Sequence, residues 1–528
     1  MLWGVFLIAA FLGYLHFVQI RRRRLLPPGP KPVPLLGNIR DFPPPGVPEF
    51  KHWLKLKDQY GGISSLSVLG LTMILIHDKK IAHEILDKNS SKTSGRPRME
   101  FAGELCGYKS LVIFRGYGTT FRLLRKFLHQ ELGTKPLVGR FREVQETEVN
   151  RQLVRSLRRP EDWVKNFSIT SGATVLKAVY GYNVEADKPD TLVEQVDRMM
   201  KEFSRAAVPK KWIVDIFPVL RYLPEGFPGT SFKQTARAWK RSFQETAQIP
   251  YQFVRHQMAA GCHRQSYVSK LVERNQKESY DGSLNPEHED AIIYSAANLY
   301  GGGADTTAIG MTSFTLAMIL YPEVQRKAQE EIDCVVGSDR LPGFEDRERL
   351  PYINAIIKEI LRWWVVGPLA FIHVADEDIE YNGYLIPKGS YIVPNIWWIL
   401  HDPEVYANPD KFDPERFLSP RNEPDPEGDV FGYGRRICPG RFFADANIYL
   451  NVAKSIAAFN INKAVDKDGK EVDVEAKPTP GVFSYVEKFQ FRITPRSSKH
   501  AELVNQLDTK DLWGKSDSGM LKDIKIIS

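Results

Sequence analysis

Apolar residues run from Leu2 to Ile20 without one formally charged side chain, and Arg21–Arg24 follow directly. At about 1.5 Å rise per residue a helix over this stretch reaches roughly 28 Å, the thickness of a hydrocarbon core. The pattern then changes character. Pro27, Pro28, Pro30, Pro32 and Pro34 cannot continue a helix, so an extended connector is predicted there. Short runs at Ile63–Val68 and Met73–Ile76 predict strands, and similar runs near Ile379–Ile392 and Phe489–Ile493 predict more. Between them the apolar residues recur at helical spacing. Asp290–Leu320 predicts one long helix, with Ile292, Ile293, Ala296, Leu299 and Ala304 giving a partly apolar face, and Tyr352–Trp363 predicts another. The pattern is that of a mainly α-helical protein with a small β-rich region.

Composition narrows the reading. With 528 residues, 43% of them hydrophobic, the chain can bury a large core. No Gly/Ser linker, low-complexity block or fixed-period repeat divides it, so one large body is expected over residues 41–495. Residues 1–24 would be its anchor, 25–40 the connector and 496–528 a tail without evident role. The formal charge of +8 comes from 72 basic and 64 acidic residues, mostly interspersed, which describes a solvated surface rather than a nucleic-acid face. The dense basic run is Arg21–Arg24. A cleaved signal would carry its positive charges before the apolar run, whereas here they come after it. The expectation is a single-pass anchor in membrane lipid, with the body held on the cytosolic side. Cys106, Cys262, Cys334 and Cys438 are few and form no CxxC pair, which fits a reducing compartment.

One of these cysteines lies in unusual company, Phe431-Gly432-Tyr433-Gly434-Arg435-Arg436-Ile437-Cys438-Pro439-Gly440. A packing cysteine normally sits in a helix or strand. Here glycines let backbone approach a flat cofactor, and backbone N–H groups turned to the sulfur would stabilise a thiolate. The loop resembles that of the cytochrome P450 family, Phe-x-x-Gly-x-Arg-x-Cys-x-Gly, through Phe431, Gly434, Arg436, Cys438 and Gly440. The resemblance implies haem b with Cys438 as the iron ligand, and a thiolate ligand favours O–O cleavage. The fold it implies is mainly α, with a long central helix and a small β-rich region, preceded in microsomal members by one transmembrane helix.

Other segments are similar to the family in the same order. Gly302, Gly303, Asp305 and Thr306 resemble its oxygen-activation motif, with Thr306 bonding the oxygen and Asp305 relaying protons. Glu359 and Arg362, with Arg416 of Pro414-Glu415-Arg416-Phe417, resemble its buried ion-pair group. Arg125, Arg436 and His373 stand where propionate contacts are implied. Two departures are visible: Phe121 replaces a tryptophan and Ile372 a proline. By position the substrate pocket takes Met99 and Phe101 from one loop and Ala297, Gly302 and Ala304 from the long helix. Val366, Leu369 and Ala370 come from a third segment and Phe483 from a fourth. These residues are mostly apolar, which suits a lipophilic small molecule.

No dinucleotide fingerprint is visible, so electrons are expected from NADPH through a separate flavoprotein reductase, meeting Arg122, Lys126 and Arg435. The implied setting is the endoplasmic reticulum membrane and the implied activity a monooxygenase of secondary metabolism. Two other readings remain: a haem-thiolate isomerase or dehydratase, and a non-catalytic haem sensor. Retention of Asp305 and Thr306 argues against both.

Overall fold

The computed structural model describes residues 25–524 apart from 35, 45, 187, 209, 210 and 281. The predicted anchor, 1–24, lies outside the described residues. Among those described, no helix is long and apolar enough to cross a membrane.

The chain packs into two compact units. The first comprises residues up to Pro97, Leu369–Ile399 and Gly432–Ile437. Its strands are β1 (Ile63–Val68), β2 (Leu71–Ile76), β3 (His373–Val374), β4 (Ile379–Tyr381), β5 (Tyr384–Ile386) and β6 (Tyr391–Pro394). Leu69 and Gly70 both take positive φ (49° and 83°), closing a tight hairpin between β1 and β2. β2 pairs in parallel with β6, which pairs antiparallel with β3, giving the order β1-β2-β6-β3. Leu66, Met73, Leu75 and Val393 pack against Trp53 and Leu56 on one face. The proline connector lies along the free edge of β1: Ser65 donates from its N to Pro28 O (2.8 Å) and from its hydroxyl to Pro27 O (2.6 Å). A side chain at Gly29 would place its Cβ 1.9 Å from Ser65 O, so this close approach requires glycine. The stretch read as strands near Ile379–Ile392 resolves into three short ones. Asn382-Gly383 turns the chain between β4 and β5 with φ of 47° and 80°, and Gly389 (82°) turns it again before β6.

The second unit comprises Arg98–Pro368, Leu400–Phe431 and Cys438 onward, and is mostly helical. At its centre runs the Pro286–Leu320 helix, which starts one turn before the predicted Asp290. Asn285 caps it, accepting from Glu287 N at 2.8 Å, and Pro286 suits the first helical position. Helices Thr119–Leu132, Trp163–Tyr180, Thr191–Ala206 and Arg441–Ala458 surround it, which is why it is apolar on more than one face. β7 (Phe459–Lys463) and β8 (Phe491–Pro495) pair antiparallel. β8 begins two residues later than predicted because the register places Ile493 opposite Ile461 and both side chains inward.

The tail is docked on this unit. Arg151 donates to the carbonyls of Leu512 (2.8 Å) and Trp513 (2.6 Å), and Asp517 accepts from Asn183 N (2.7 Å) and Arg264 (2.5 Å). The guanidiniums of Arg151, Arg155 and Arg158 lie 5.2–5.9 Å from the Trp513 ring centroid.

Candidate functional site

The cysteine loop folds back on itself. Cys438 N donates to Phe431 O (2.8 Å), and Gly432 and Gly434 take φ of 77° and 52°. A Cβ on Gly434 would meet Leu86 O at 2.6 Å, so glycine is required there twice over. Within the second unit Cys438 stands just before the helix Arg441–Ala458, whose N-terminal end favours negative charge. Burial pushes the thiol up, while a bond from the Gly440 N–H and the charges of Arg125 and Arg441 pull it down. The arrangement suits a sulfur whose negative charge is completed by a cation bound to it. Burial in turn lowers the Arg125 guanidinium, and the Cys438 charge opposes that.

Arg436, His373 and a residue that no motif marked, Arg96, gather in the first unit. Arg96 Nη1 donates to the carbonyls of Phe371 and Ile372 (both 2.9 Å), and Arg436 Nε to Ser94 O (2.8 Å). His373 Nδ1 lies 2.8 Å from Thr93 O. Since a carbonyl only accepts, Nδ1 carries the proton and Nε2 is the acceptor in the neutral ring. Burial, then Arg96 and then Arg436, hold His373 well below the usual histidine range. Burial and Arg436 likewise depress Arg96. Asp376 approaches the group: burial raises its carboxyl and Arg436 opposes this. Two guanidiniums beside one half-buried carboxylate suit an anionic ligand group. Arg96 could have been suspected only from Gly95-Arg96-Pro97. The proline forces extended backbone at Arg96, and Gly95 bridges Val374, where a Cβ would lie 2.8 Å from Val374 O. Ile372, in place of proline, contributes its carbonyl to Arg96 and its side chain to the first unit's core.

On the long helix, three glycines do different work. A Cβ at Gly301 would lie 3.0 Å from Met200 Sδ and one at Gly303 2.8 Å from Val175 Cγ2, so both serve helix packing. At Gly302 nothing lies within 4 Å, and the helix there faces open space. Thr306, one turn on, donates to Gly302 O (2.6 Å). Asp305 accepts a 2.6 Å bond from the Tyr485 hydroxyl. Burial pushes the Asp305 carboxyl up to about 6, with Tyr485 and Lys201 opposing and Asp197 reinforcing the rise.

The pocket candidates divide. Val366 O accepts from Ser484 N (2.9 Å), which fixes the turn bearing Phe483. Ala297 and Ala304 are buried along the long helix, and Met99 is half-buried. Phe101 is buried, stacked on Trp212 at 3.6 Å with Trp239 at its edge. Leu369 packs into the first unit's core, beside Ala370 at φ 51°. Arg122, Lys126 and Arg435 are exposed. Away from these, Glu359, Arg362 and Arg416 are fully buried together. Arg362 grips the Glu359 carboxylate with two bonds (2.7 and 2.8 Å), Arg416 lies 3.1 Å away, and Asp413 N adds a fourth donor at 2.8 Å.

The loop cysteine, and the acid and alcohol beside open space on the long helix, are the residues that a haem-thiolate class of site calls for. The cytochrome P450 family profile matches residues 27–485, and the chain belongs to that family. It is similar to the cytochrome P450 monooxygenase CLM2 of Gibberella zeae, 46% identical over 524 residues and 99% of each chain. The multifunctional cytochrome P450 monooxygenase af510 of Aspergillus fumigatus is 44% identical over 97% of this chain and 96% of its own. The O-methylsterigmatocystin oxidoreductase of Aspergillus flavus is 38% identical over 93% and 92%.

Proposed function

We propose that this chain is a haem-thiolate monooxygenase of fungal secondary metabolism that inserts one oxygen atom from O2 into a lipophilic small molecule. The observation that carries the reading is Cys438, in a loop that only glycine can make, with the Gly440 N–H and Arg125 turned toward its charge. The residues present fit haem b: Cys438 as iron ligand, Arg125, Arg436, His373 and also Arg96 for the propionates, and Phe431, Gly434 and Gly440 shaping the loop. When bound, a thiolate-ligated haem supplies oxygen activation biased toward O–O cleavage, with electrons from NADPH through a separate reductase. Thr306 offers a hydroxyl that can hold or pass a proton beside the open space at Gly302. Asp305, with its carboxyl near 6, exists in both protonation states around neutral pH and can take protons from solvent. The relatives named as monooxygenases support the activity, and the apolar Val366, Phe483, Ala297 and Ala304 support a lipophilic substrate.

The decisive experiment is a carbon monoxide difference spectrum of the reduced holoprotein. The expected result is the long-wavelength band of thiolate ligation, abolished in Cys438→His; the short-wavelength band in intact wild-type protein would reject the reading.

The same proposal anchors residues 1–24 in the endoplasmic reticulum membrane with the 41–495 body on the cytosolic side. It is supported by the charge-free run before Arg21–Arg24 and by the exposed Ile213, Phe217, Val219, Tyr222 and Phe227. Retention in the pellet after alkaline carbonate washing, lost when residues 1–24 are removed, is the expected outcome. Arg122, Lys126 and Arg435 are proposed as contacts for an acidic reductase surface, so charge reversal there should raise the KM for reductase while leaving probe binding unchanged.

A further inference from the structure

The 2.6 Å bond between Tyr485 and Asp305 joins side chains 180 residues apart in sequence. The carboxyl is held at a place where either protonation state is accessible, and a phenol suits both. It donates to the carboxylate, and once Asp305 is protonated the same oxygen can accept from it. Burial and the neighbouring Asp305 raise Tyr485 well above the ordinary tyrosine range, so it remains a neutral phenol throughout. The other charged groups that act on Asp305 are Asp197 and Lys201. They are paired with each other at 2.6 Å on the Thr191–Ala206 helix, largely exposed, and so connect this spot to solvent.

Tyr485 is not carried on a loose loop. Its N donates to Thr479 Oγ1 (3.2 Å), and Thr479 N donates to Tyr485 O (2.9 Å). The preceding Ser484 is bonded to Val366 O (2.9 Å) and receives the Trp364 indole N–H at its carbonyl (2.7 Å). Rigid support of this kind is what a positioning group needs. The turn also carries Phe483, stacked with Phe203 at 6.1 Å, among the residues proposed to meet substrate.

We propose that Tyr485 is a positioning residue for proton delivery. Its phenol holds the Asp305 carboxyl, and because its turn also carries the pocket residue Phe483, one hydroxyl ties pocket occupancy to proton supply. This rests on the reading of Asp305 as the proton-relaying acid of a monooxygenase.

The test uses reductase-coupled holoenzyme with 7-ethoxycoumarin as a lipophilic probe, in wild type, Tyr485→Phe, Tyr485→His and Asp305→Asn, each first shown to keep its carbon monoxide band. Two quantities are read: the infrared carboxyl titration, assigned by its disappearance in Asp305→Asn, and the hydrogen peroxide released per NADPH consumed. Wild type should titrate near 6. Tyr485→Phe removes a bond that stabilises the carboxylate, so its midpoint should move upward. Its peroxide fraction should rise about threefold, reflecting loss of only part of the roughly 10²–10⁴-fold rate contribution typical of a proton-transferring group. Tyr485→His, which keeps a donor, should lie closer to wild type. An unchanged titration and unchanged peroxide fraction in Tyr485→Phe would overturn the inference, and so would a change confined to probe affinity. If Asp305→Asn leaves the peroxide fraction unaltered, it is the proton-relay reading of Asp305 that fails. An effect in Asp305→Asn with none in Tyr485→Phe defeats the Tyr485 inference alone. Should Tyr485→Phe not fold, Thr479→Ala loosens the turn without touching the phenol. A smaller peroxide rise in the same direction is then expected, and no rise overturns the proposal.

Discussion

Around Glu359 two buried guanidiniums meet two carboxylates, Glu359 and Glu423, the first of which also receives a backbone N–H, whereas around Arg436 two guanidiniums and a neutral imidazole lie together with one half-buried carboxylate nearby. The first group is complete in itself, and every strong donor there has a strong acceptor. In the second, Arg436 depresses Arg96 and both depress His373, so an anion placed there would be favoured. Burying charge is costly unless it is paired. The first group therefore serves the stability of the second unit, and the second suits the anionic end of the proposed cofactor.

The largest test breaks the balanced group. Glu359→Ala strands Arg362 and leaves Arg416 with Glu423 alone, and such losses cost about 3–5 kcal/mol. Urea unfolding of that variant should show this, and haem incorporation should fail with it. Next in size is acid. Burial, with Lys57 assisting, pulls His77 in the first unit from 6.5 to about 4. The fold therefore favours the neutral ring. Its contribution is complete above about pH 6.5 and declines as the pH falls toward 4, by roughly 3 kcal/mol in all. His373, held low by burial beside Arg96 and Arg436, adds a loss of the same sign below 6.5. His77→Phe should flatten unfolding free energy against pH over that range; an unchanged slope would remove His77 from the account.

A smaller effect on the apoprotein sharpens the contrast. Arg96→Leu forfeits the bonds to Phe371 and Ile372 but also relieves repulsion with Arg436, so apoprotein stability should fall by only about 1–2 kcal/mol. Haem retention in a transfer assay should fall about tenfold or more, since charge-assisted bonds to an anion are the strong ones. If Arg96→Leu costs the apoprotein as much as Glu359→Ala, the two groups do not differ in kind. Smallest of all, Arg158→Ala at the exposed pair with Asp508 should cost under about 1 kcal/mol.

What could be read from the residues alone follows from how local each feature is. The cysteine loop is one contiguous phrase, and the long helix announces itself by period, so both are visible in order along the chain. Arg96 becomes meaningful only when Gly95 bridges Val374, and Tyr485 only when its turn reaches Asp305. The first unit is assembled from three separate stretches, so no linker marks it and the body reads as undivided. Phe101 and Leu369 are apolar and well placed in sequence, but their aromatic stacking and their contact with a strand core become visible only in the fold. Helix and strand ends shifted where a cap or turn dipeptide, Asn285-Pro286 or Asn382-Gly383, outweighed the hydrophobic pattern.

The parallel pairing of β2 with β6 joins Met73–Ile76 to residues emerging roughly 300 positions later. At a synthesis rate of about 5–20 residues per second, the β1–β2 hairpin waits on the order of 15–60 s for its partner strand. Through that interval β2 presents a bare edge, the kind that pairs with strangers. Cys438 emerges later still, so its loop can form only after that bare-edge interval has passed.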